Sequence, residues 1–373
     1  MFTGCTDKTE TRFNDEENRV IKLANAYLGE KPVTVTDTTC ERSAGGLHDY
    51  YSEGDYWWRD PENPDGPYIR RDGLTNPDNF TAHRKAMRRL SQIVPALVTA
   101  YKITGDQKYA EDALKHLEAW FVNPVTKMNP NLLYSQAIKG RVTGRGIGII
   151  DTIHLVEVAQ AIVVLKKAGL LNSFVGTELS LWFEEYNNWI FLHEYGISER
   201  DNGNNHSTCW AMQVAAFANV YGDGDKLEFV RKFYKTVLLP EQMAVDGSFP
   251  KELARTKPYG YSLFNMDAMA MVCEIASTKK DDLWEYTSPD GKNIQKAMEY
   301  MYPYIVDKSK WPMEPDVMYW ENWPVRFNSL FFTYKHAGEK KYLELWRKLD
   351  PNPTIDEIIR NYPVRQPLLW IDL

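Results

Sequence analysis

Residues 202–207 combine amides, an imidazole and a glycine at the predicted start of an apolar helix. Gly203 permits an unusual backbone at this point, and Asn204 or Asn205 can cap the helix. Because a helix N-terminus offers N–H dipoles, Asn205 and His206 beside it suit the binding of an anion and the transfer of a proton. An ordinary helix cap with a nearby surface histidine would give the same local pattern.

A second candidate segment, residues 246–264, brings a guanidinium and a phenol to the two sides of a turn rich in Pro and Gly. Arg255 and Tyr261 flank this turn, which opens another predicted helix. An arginine close to a phenol favours the phenolate, lowering a pKa that starts near about 10, so Tyr261 becomes a usable base or acid. The structural alternative is an Arg255–Glu252 ion pair at a helix start beside a packing tyrosine. These two segments also contain three further candidate substrate-binding residues, Asn204, Lys257 and Tyr259.

The sequence between residues 32 and 79 is rich in Gly, Pro, Asp, Tyr and Trp and shows no sustained period. A long ordered loop in a compact enzyme usually carries function. Aromatic rings stack on sugars and guanidinium groups bind carboxylates, so this loop suits a charged sugar. Its candidate binding residues are His48, Tyr50, Tyr56, Trp57, Arg59, Arg70 and Arg71. A lid held together by its own aromatic residues is the structural alternative.

A further segment, residues 134–145, mixes amide and guanidinium donors ahead of a predicted helix. Gln136 could help to neutralise a carboxylate, and Arg141 and Arg145 follow it closely in sequence. A loop amide that caps a helix is the alternative for Gln136.

Helical periodicity dominates the chain and must position these groups. The predicted helices start near Asp15 and continue over 80–104, 106–122, 149–169, 173–194, 205–221, 223–239, 261–277, 290–307, 325–337 and 339–348. Three joints, at 101–106, 221–225 and 337–339, each have a glycine stop and an acidic helix start. Recurring helical hairpins predict an all-α fold, an (α/α) toroid with a long irregular N-terminal loop. An open superhelical array would give a similar local pattern with more regular repeats.

We expect one toroid domain over residues 15–373, preceded by a flexible tail over 1–14. Near the start, Phe2-Thr3-Gly4-Cys5 resembles the end of a bacterial lipoprotein signal, in which a small residue precedes the lipidated cysteine. This predicts a lipid anchor at Cys5 in the native precursor and a periplasmic or outer-membrane-anchored location. A chance Gly-Cys pair is the alternative.

The net charge and the cysteine spacing limit which ligands the protein can bind. The formal net charge of −7 argues against a nucleic-acid binder, which would need a broad excess of Lys and Arg. A polyanionic sugar needs only a local basic cleft within an acidic protein. The cysteines show no metal-ligand spacing, so we expect no metal, and no run of about 18 apolar residues occurs, so we expect no transmembrane helix. These cysteines are Cys5, Cys40, Cys209 and Cys273. Proton transfer by side chains such as those above needs no organic cofactor, and we expect none.

Together these segments resemble the alginate lyase family, whose fold is an α/α toroid. The resemblance rests on Asn204-Asn205-His206, the Asp-Gly-x-x-Pro-x-Glu-x-x-Arg stretch 246–255, the following Tyr261 and the early stretch 50–58. The implied roles are carboxylate neutraliser for Asn205, imidazole base for His206, charge tuning for Arg255 and catalytic phenol for Tyr261. Well-known members place a histidine directly after the tyrosine, where this chain has Ser262, so the substrate preference stays open.

The activity that this resemblance implies is β-elimination on a uronate-containing polysaccharide, with alginate as the first candidate. Removal of a uronate C5 proton builds charge on the carboxylate, which donors such as Asn205 must neutralise. A base takes the C5 proton while an acid protonates O4, leaving a 4,5-unsaturated end. In mannuronate both groups lie on one face, so Tyr261 could serve both steps. In guluronate they lie on opposite faces, which calls for His206 as base and Tyr261 as acid.

Two other functions are compatible with the residues. A hydrolase of glycosides or unsaturated uronates on the same fold would use a carboxylate pair, for which the candidates are Asp49, Asp151 and Asp267. A non-catalytic glycan-binding protein would need only the aromatic and arginine-rich loop. The sequence leaves open the preferred uronate, internal or terminal attack, and the oligomeric state.

Overall fold

The computed structural model describes residues 13–373, and most of these residues are helical. Helix accounts for 58% and strand for 4%, which confirms the predicted all-α class. Cys5 and most of the predicted tail lie outside the described residues. The α-helices of residues 13–373 are α1 (Asn14–Tyr27), α2 (Ala82–Thr104), α3 (Gln107–Phe121), α4 (Leu155–Lys167), α5 (Ser173–Leu192), α6 (Glu194–Arg200), α7 (Asn205–Tyr221), α8 (Gly224–Phe233), α9 (Leu239–Gln242), α10 (Pro250–Leu253), α11 (Pro258–Ala276), α12 (Ile294–Val306), α13 (Asn328–Ala337), α14 (Lys340–Lys348) and α15 (Asp356–Arg360).

The long helices alternate between an inner and an outer position. The inner helices pack in sequence, α2 on α4, α4 on α7, α7 on α11 and α11 on α13, and most of their side chains are buried. The outer helices α1, α3, α5, α8, α12 and α14 cover them. Each outer helix buries its apolar face on the inner layer, as expected for helical hairpins packed side by side. This arrangement confirms the predicted (α/α) toroid.

The three predicted glycine joints end inner helices and start outer ones. Gly105, Gly222 and Gly338 follow α2, α7 and α13 with φ of 72°, 85° and 74°, where a side chain would be strained. Asp106 then caps α3 and Asp223 caps α8, because each carboxylate accepts a backbone N–H of the first turn. Glu339 precedes α14 without such a bond.

The elements differ from the prediction where the backbone leaves α-helical geometry. The predicted helix 149–169 begins as a 3₁₀ turn, Gly146–His154, and continues as α4. The predicted helix 223–239 is α8 followed by a π-helical turn, Tyr234–Leu238. The helices α6, α10 and α15 were not predicted, because segments of four to seven residues are too short to show a period.

One helical stretch, Gly146–Lys167, is long and apolar enough to cross a membrane by length and composition. Its most apolar window is 72% buried inside the fold. The stretch is therefore a core element of the inner layer.

The segment between α1 and α2 is ordered and holds the short strands β1 (Tyr51–Glu53), β2 (Trp57–Trp58) and β3 (Ile69–Arg70). Strands β2 and β3 pair antiparallel, and β1 pairs in parallel with β4 (Tyr134–Ala137). Arg84 of α2 donates to the carbonyl oxygen of Glu53 at 2.9 Å. These contacts bring the aromatic and arginine-rich loop to the segment that contains Gln136.

Candidate active site

A cleft of about 350 Å³ brings together the four side chains for which the sequence predicted catalytic roles. Asn205 and His206 reach it from the first turn of α7, Arg255 from the end of α10, and Tyr261 from the first turn of α11. The other predicted site residues that line it are Asn204, Tyr56, Trp57, Arg70, Gln136 and Arg145. Two separate helix starts thus meet in one groove with the early loop and β4.

The start of α7 is fixed by a cap and by a buried carboxylate. Asn204 is the cap residue, and its side-chain oxygen accepts the backbone N–H of His206 at 3.0 Å. Glu252 accepts both the backbone N–H and the Nδ2–H of Asn205, each at 2.7 Å. These bonds orient the amide and leave its second N–H and its oxygen for the cleft. The suggested Arg255–Glu252 pair does not form, because Glu252 is engaged with Asn205.

The imidazole of His206 is held from behind by Glu199 of α6. Its Nδ1 lies 2.6 Å from a carboxylate oxygen of Glu199, which is completely buried. The side chain of His206 is 14% exposed and lines the cleft. Since Nδ1 is engaged, Nε2 is the ring nitrogen available to a ligand.

Arg255 is oriented by Asp72 of the early loop. Its guanidinium donates to the two carboxylate oxygens of Asp72 at 3.0 and 3.2 Å, and Thr256 donates to Asp72 at 3.1 Å. The guanidinium carbon lies 4.6 Å from the ring centroid of Tyr261. Arg255 therefore contacts the face of the phenol through a cation–π interaction.

The hydroxyl of Tyr261 belongs to a hydrogen-bonded chain. It lies 2.7 Å from the hydroxyl of Tyr56, which accepts an N–H of Arg360 at 3.0 Å. Either hydroxyl can be the donor in the Tyr56–Tyr261 pair. When Tyr56 donates, the proton of Tyr261 is available to the cleft.

Burial changes the expected ionisation of Tyr261. The sequence predicted that Arg255 lowers the pKa of this phenol. Burial instead raises the pKa of Tyr261 well above 10, and the nearby charges of Arg255 and Arg360 offset only part of this effect. The prediction is corrected: in this structure the phenol holds its proton at neutral pH.

The cleft carboxylates are paired with arginines. Asp55 lies 2.5 Å from both Arg84 and Arg360. Burial alone would raise the pKa of Asp55, but the two guanidinium charges hold it below its usual value. Asp151 accepts hydrogen bonds from Ser52 at 2.5 Å and from Arg84 at 3.0 Å. Neither carboxylate is free to act as the acid or base of a hydrolase.

Gln136 sits between these charges. Its Nε2 donates to Asp151 at 3.3 Å, and its Oε1 accepts an N–H of Arg145 at 2.8 Å. Its φ of 49° is rare for a residue other than glycine. Gln136 caps no helix, so this backbone serves to direct the amide into the cleft wall. Of the other two hydrolase candidates, Asp49 bonds Asn129 and Asp267 accepts the backbone N–H of Ser329, and neither lines the cleft.

Seven predicted substrate-binding residues do not line the cleft. Tyr50, Lys257 and Tyr259 are no more than 3% exposed, which corrects the expectation that they contact a substrate. Lys257 forms an ion pair with Glu357 at 2.8 Å, so it anchors the helix that carries Arg360. The remaining four, each bonded or stacked outside the cleft, are His48, Arg59, Arg71 and Arg141.

Several functional neighbours were missed by the sequence reasoning. Arg360, Asn361 and Asn202 line the cleft, while Glu199 and Glu252 act from behind it. Glu252 and Asn202 carried a signal, because they lie inside the candidate segments 246–264 and 202–207. Arg360 comes from a five-residue helix 99 residues after Tyr261, and no local pattern marks it.

The ring of paired helices and the chemistry of the cleft define a polysaccharide lyase. The chain belongs to the alginate lyase family, whose profile matches residues 34–311. Among solved structures, an alginate lyase from Bacteroides ovatus is 31% identical, with 94% of this chain and 93% of that chain covered and a TM-score of 0.81. No curated protein sequence matches the chain.

More distant solved structures share the fold. Alginate lyase A1-III from Sphingomonas species A1 is 16% identical, with a TM-score of 0.54 over 96% of this chain and 94% of that chain. A variant of A1-III complexed with a tetrasaccharide is 15% identical, with a TM-score of 0.57 over 96% and 93%. At this identity the likeness concerns the architecture alone.

Proposed function

We propose that this chain cleaves alginate, or a closely similar polyuronate, by β-elimination in the cleft described above. Membership of the alginate lyase family and the similarity to the Bacteroides ovatus alginate lyase support this substrate. A solved structure of an A1-III variant is complexed with a tetrasaccharide, which supports an oligosaccharide as a ligand. The observation that carries the proposal is the shared cleft of an amide, an imidazole, a guanidinium and a phenol.

Neutralisation of the substrate carboxylate is the first requirement. Abstraction of the C5 proton develops a second negative charge on that group, and a preorganised donor is worth about 3 kcal/mol there. The amide of Asn205 is oriented by Glu252 and has one N–H left for this purpose. Arg145, held by Gln136, supplies a positive charge in the same cleft.

Proton transfer is assigned to His206 and Tyr261. The imidazole offers Nε2 as an acceptor, since Nδ1 is engaged with Glu199. Tyr261 holds its proton. With the hydroxyl of Tyr56 donating to its oxygen, Tyr261 would suit protonation of the departing O4. For guluronate, His206 would remove the C5 proton and Tyr261 would protonate O4 from the other face. For mannuronate, Tyr261 would first release its proton to solvent, then remove the C5 proton and pass that proton to O4.

Tyr56 and Arg360 assist the phenol in this assignment. When Tyr261 gives its proton to O4, negative charge develops on its oxygen. The hydroxyl of Tyr56, polarised by the guanidinium of Arg360, donates to that oxygen and stabilises the charge.

The charge of the cleft supports an acidic substrate. Four arginines line it in a chain whose net charge is −7, namely Arg70, Arg145, Arg255 and Arg360. Asp55 and Asp151 line the same cleft, so arginines outnumber carboxylates on its wall. Screening limits the reach of distant surface charge to about 8 Å at physiological salt, so the net negative charge of the chain does not repel an acidic ligand from this cleft. The guanidinium groups of Arg141 and Arg145 lie 5.1 and 5.9 Å from the centroid of the Trp57 ring. An aromatic ring next to positive charge suits a sugar ring that carries a carboxylate.

The product of the reaction tests this function. The purified protein is incubated with polymannuronate, polyguluronate and polyglucuronate, while ultraviolet absorbance and reducing ends are recorded together. We expect both signals to rise on at least one substrate, because β-elimination creates a conjugated 4,5-double bond. Reducing ends without absorbance would indicate a hydrolase, and binding without either signal would indicate a glycan-binding protein. Both results contradict the proposal.

We further propose that the native protein is exported and anchored at Cys5. The Gly4-Cys5 pair supports this proposal, and it lies outside the described residues. Labelling of bacterial cells with a radioactive fatty acid should mark the native protein but not its Cys5→Ala variant. Equal labelling of the two proteins would refute the anchor.

A further inference from the structure

The side chain of Glu199 lies behind the cleft, and its carboxylate contacts the imidazole of His206. Its side chain is completely buried, and one oxygen lies 2.6 Å from Nδ1 of His206. The other oxygen has no hydrogen-bond partner among residues 13–373. The imidazole is therefore the one polar group that compensates this carboxylate in the described part of the chain.

A carboxylate in this position controls where the imidazole carries protons. Moving a carboxylate out of water without compensation costs several kcal/mol, so a proton on Nδ1 is strongly favoured. With Nδ1 protonated, Nε2 of the neutral ring has a free lone pair toward the cleft. When Nε2 then accepts a proton, the positive ring stands beside the buried negative charge and is stabilised.

We propose that Glu199 is a positioning residue for the elimination: it holds His206 with Nδ1–H toward the carboxylate, so that Nε2 accepts the C5 proton of the uronate. This inference rests on the proposed function and adds a requirement to it. In the step, the C5–H bond breaks and its proton goes to Nε2. The electron pair forms the C4–C5 double bond as the C4–O4 bond breaks, and O4 takes the proton of Tyr261.

Glu199 is the charged group in direct contact with the ring of His206. Glu252 of α10 also attracts a positive imidazole, but its oxygens are bonded to Asn205. Positive groups of the same cleft oppose protonation of the ring. The other charged and titratable groups that line the cleft are Asp55, Tyr56, Arg70, Arg145, Asp151, Arg255, Tyr261 and Arg360.

The inference also bears on the choice of uronate. An imidazole base is required where the C5 proton and O4 lie on opposite faces, as in guluronate. In mannuronate both groups lie on one face, so Tyr261 would serve both steps without the imidazole once its own proton has gone to solvent. Loss of Glu199 should therefore reduce cleavage of guluronate blocks more than cleavage of mannuronate blocks.

The proton position can be measured in the unaltered protein without any activity. Correlation spectra of imidazole ¹H and ¹⁵N nuclei show which ring nitrogen carries the proton, and the His206→Gln variant identifies the signal among the seven histidines. We expect neutral His206 to be protonated on Nδ1. A proton on Nε2 in the neutral ring would overturn the inference, even if the protein proves to be a lyase.

The Glu199→Gln variant tests the effect on catalysis. General-base catalysis contributes about 10²- to 10⁴-fold. On polyguluronate we expect kcat to fall at least about 10²-fold, with a smaller fall on polymannuronate. A purely structural role would lower both rates alike.

The chain offers a matched control. Glu274 forms a second glutamate–histidine pair, 3.0 Å from His336, near the far end of α11 and about 20 Å along the helix from Tyr261. Glu274→Gln removes the same charge and should leave the rates on both polyuronates unchanged. If Glu199→Gln matches this control on every uronan that the wild type cleaves, the inference is refuted. If the wild type cleaves none, the proposed function fails, and the position of the imidazole proton still decides the inference.

Discussion

Glu157 of α4 carries a completely buried carboxyl group where the C-terminal segment packs against this helix. Its oxygens accept the backbone N–H of Arg365 at 3.0 and 3.1 Å and that of Gln366 at 2.7 Å. Burial raises the pKa of Glu157 to about 7, although these hydrogen bonds oppose the shift. The group thus links the ionisation of one side chain to the segment that carries Arg360 into the cleft.

The direction of this pKa shift determines how the free energy of unfolding changes with pH. The folded-state pKa lies above the ordinary value of 4.5, so the folded protein binds the proton more tightly than the unfolded chain does. The stabilisation is complete below about pH 4.5 and is lost as the pH rises through about 7. At about 1.4 kcal/mol per pH unit, the loss reaches about 3 kcal/mol in the free energy of unfolding.

Urea unfolding followed by tryptophan fluorescence, between about pH 4.5 and pH 8, measures this loss. The Glu157→Gln variant keeps the side-chain shape but cannot ionise. Its free energy of unfolding should therefore gain about 3 kcal/mol relative to the wild type across this range. Burial also raises the pKa values of Asp267 and Asp316 to about 6. These two groups change the free energy of unfolding of the wild type and of Glu157→Gln equally with pH, so their contribution cancels in the difference. Glu344→Gln, exposed on α14, is the control. A constant gap between Glu157→Gln and the wild type would refute the reasoning.

Three further substitutions have defined outcomes. Tyr56→Phe removes the hydroxyl 2.7 Å from that of Tyr261, and steady-state kinetics should show kcat lowered about tenfold or more with little change in KM; an unchanged kcat would contradict its role. Asn205→Ala removes a donor to the developing carboxylate charge and should lower kcat by about 10²- to 10³-fold with an unchanged circular dichroism spectrum; a change confined to KM would argue against charge stabilisation. Gly247→Ala should lower the Tm measured by calorimetry, because φ is 91° and a Cβ would lie 2.1 Å from the carbonyl oxygen of Lys296; an unchanged Tm would show that this turn relaxes freely.

The long helices could be predicted from sequence because their causes are local. A glycine such as Gly105 ends a helix through its own backbone freedom, and Asp106 starts the next helix through a bond two residues away. The 3.6-residue period of apolar positions then shows which face is buried. The α10 and α15 helices depend on tertiary contacts, so the same local causes do not reveal them.

The candidate catalytic side chains could be named because each lies in a local motif, but their partners could not. Arg255 bonds Asp72, which is 183 residues away, and Tyr261 meets Tyr56, which is 205 residues away. These distances in sequence hide the pairs from any local pattern. The ionisation of Tyr261 was misjudged for the same reason, because burial is a property of the assembled cleft.

Helix geometry could have separated some binding residues from packing residues. Tyr259 and Tyr261 are two positions apart on α11, which turns their side chains about 200° from one another. Tyr261 enters the cleft, whereas Tyr259 is completely buried and donates its hydroxyl to the carbonyl oxygen of Tyr304. One of the two tyrosines had to face away from the substrate.

This pair of tyrosines provides the most direct measurement of whether the phenol in the cleft performs the elimination. Tyr261→Phe and Tyr259→Phe each remove one hydroxyl from the same helix, and ultraviolet absorbance of the unsaturated product is recorded on the preferred polyuronate. We predict that Tyr261→Phe forms no product above background, while Tyr259→Phe stays within about tenfold of the wild type because it loses only a structural hydrogen bond. Turnover by Tyr261→Phe comparable to that of Tyr259→Phe would contradict the account.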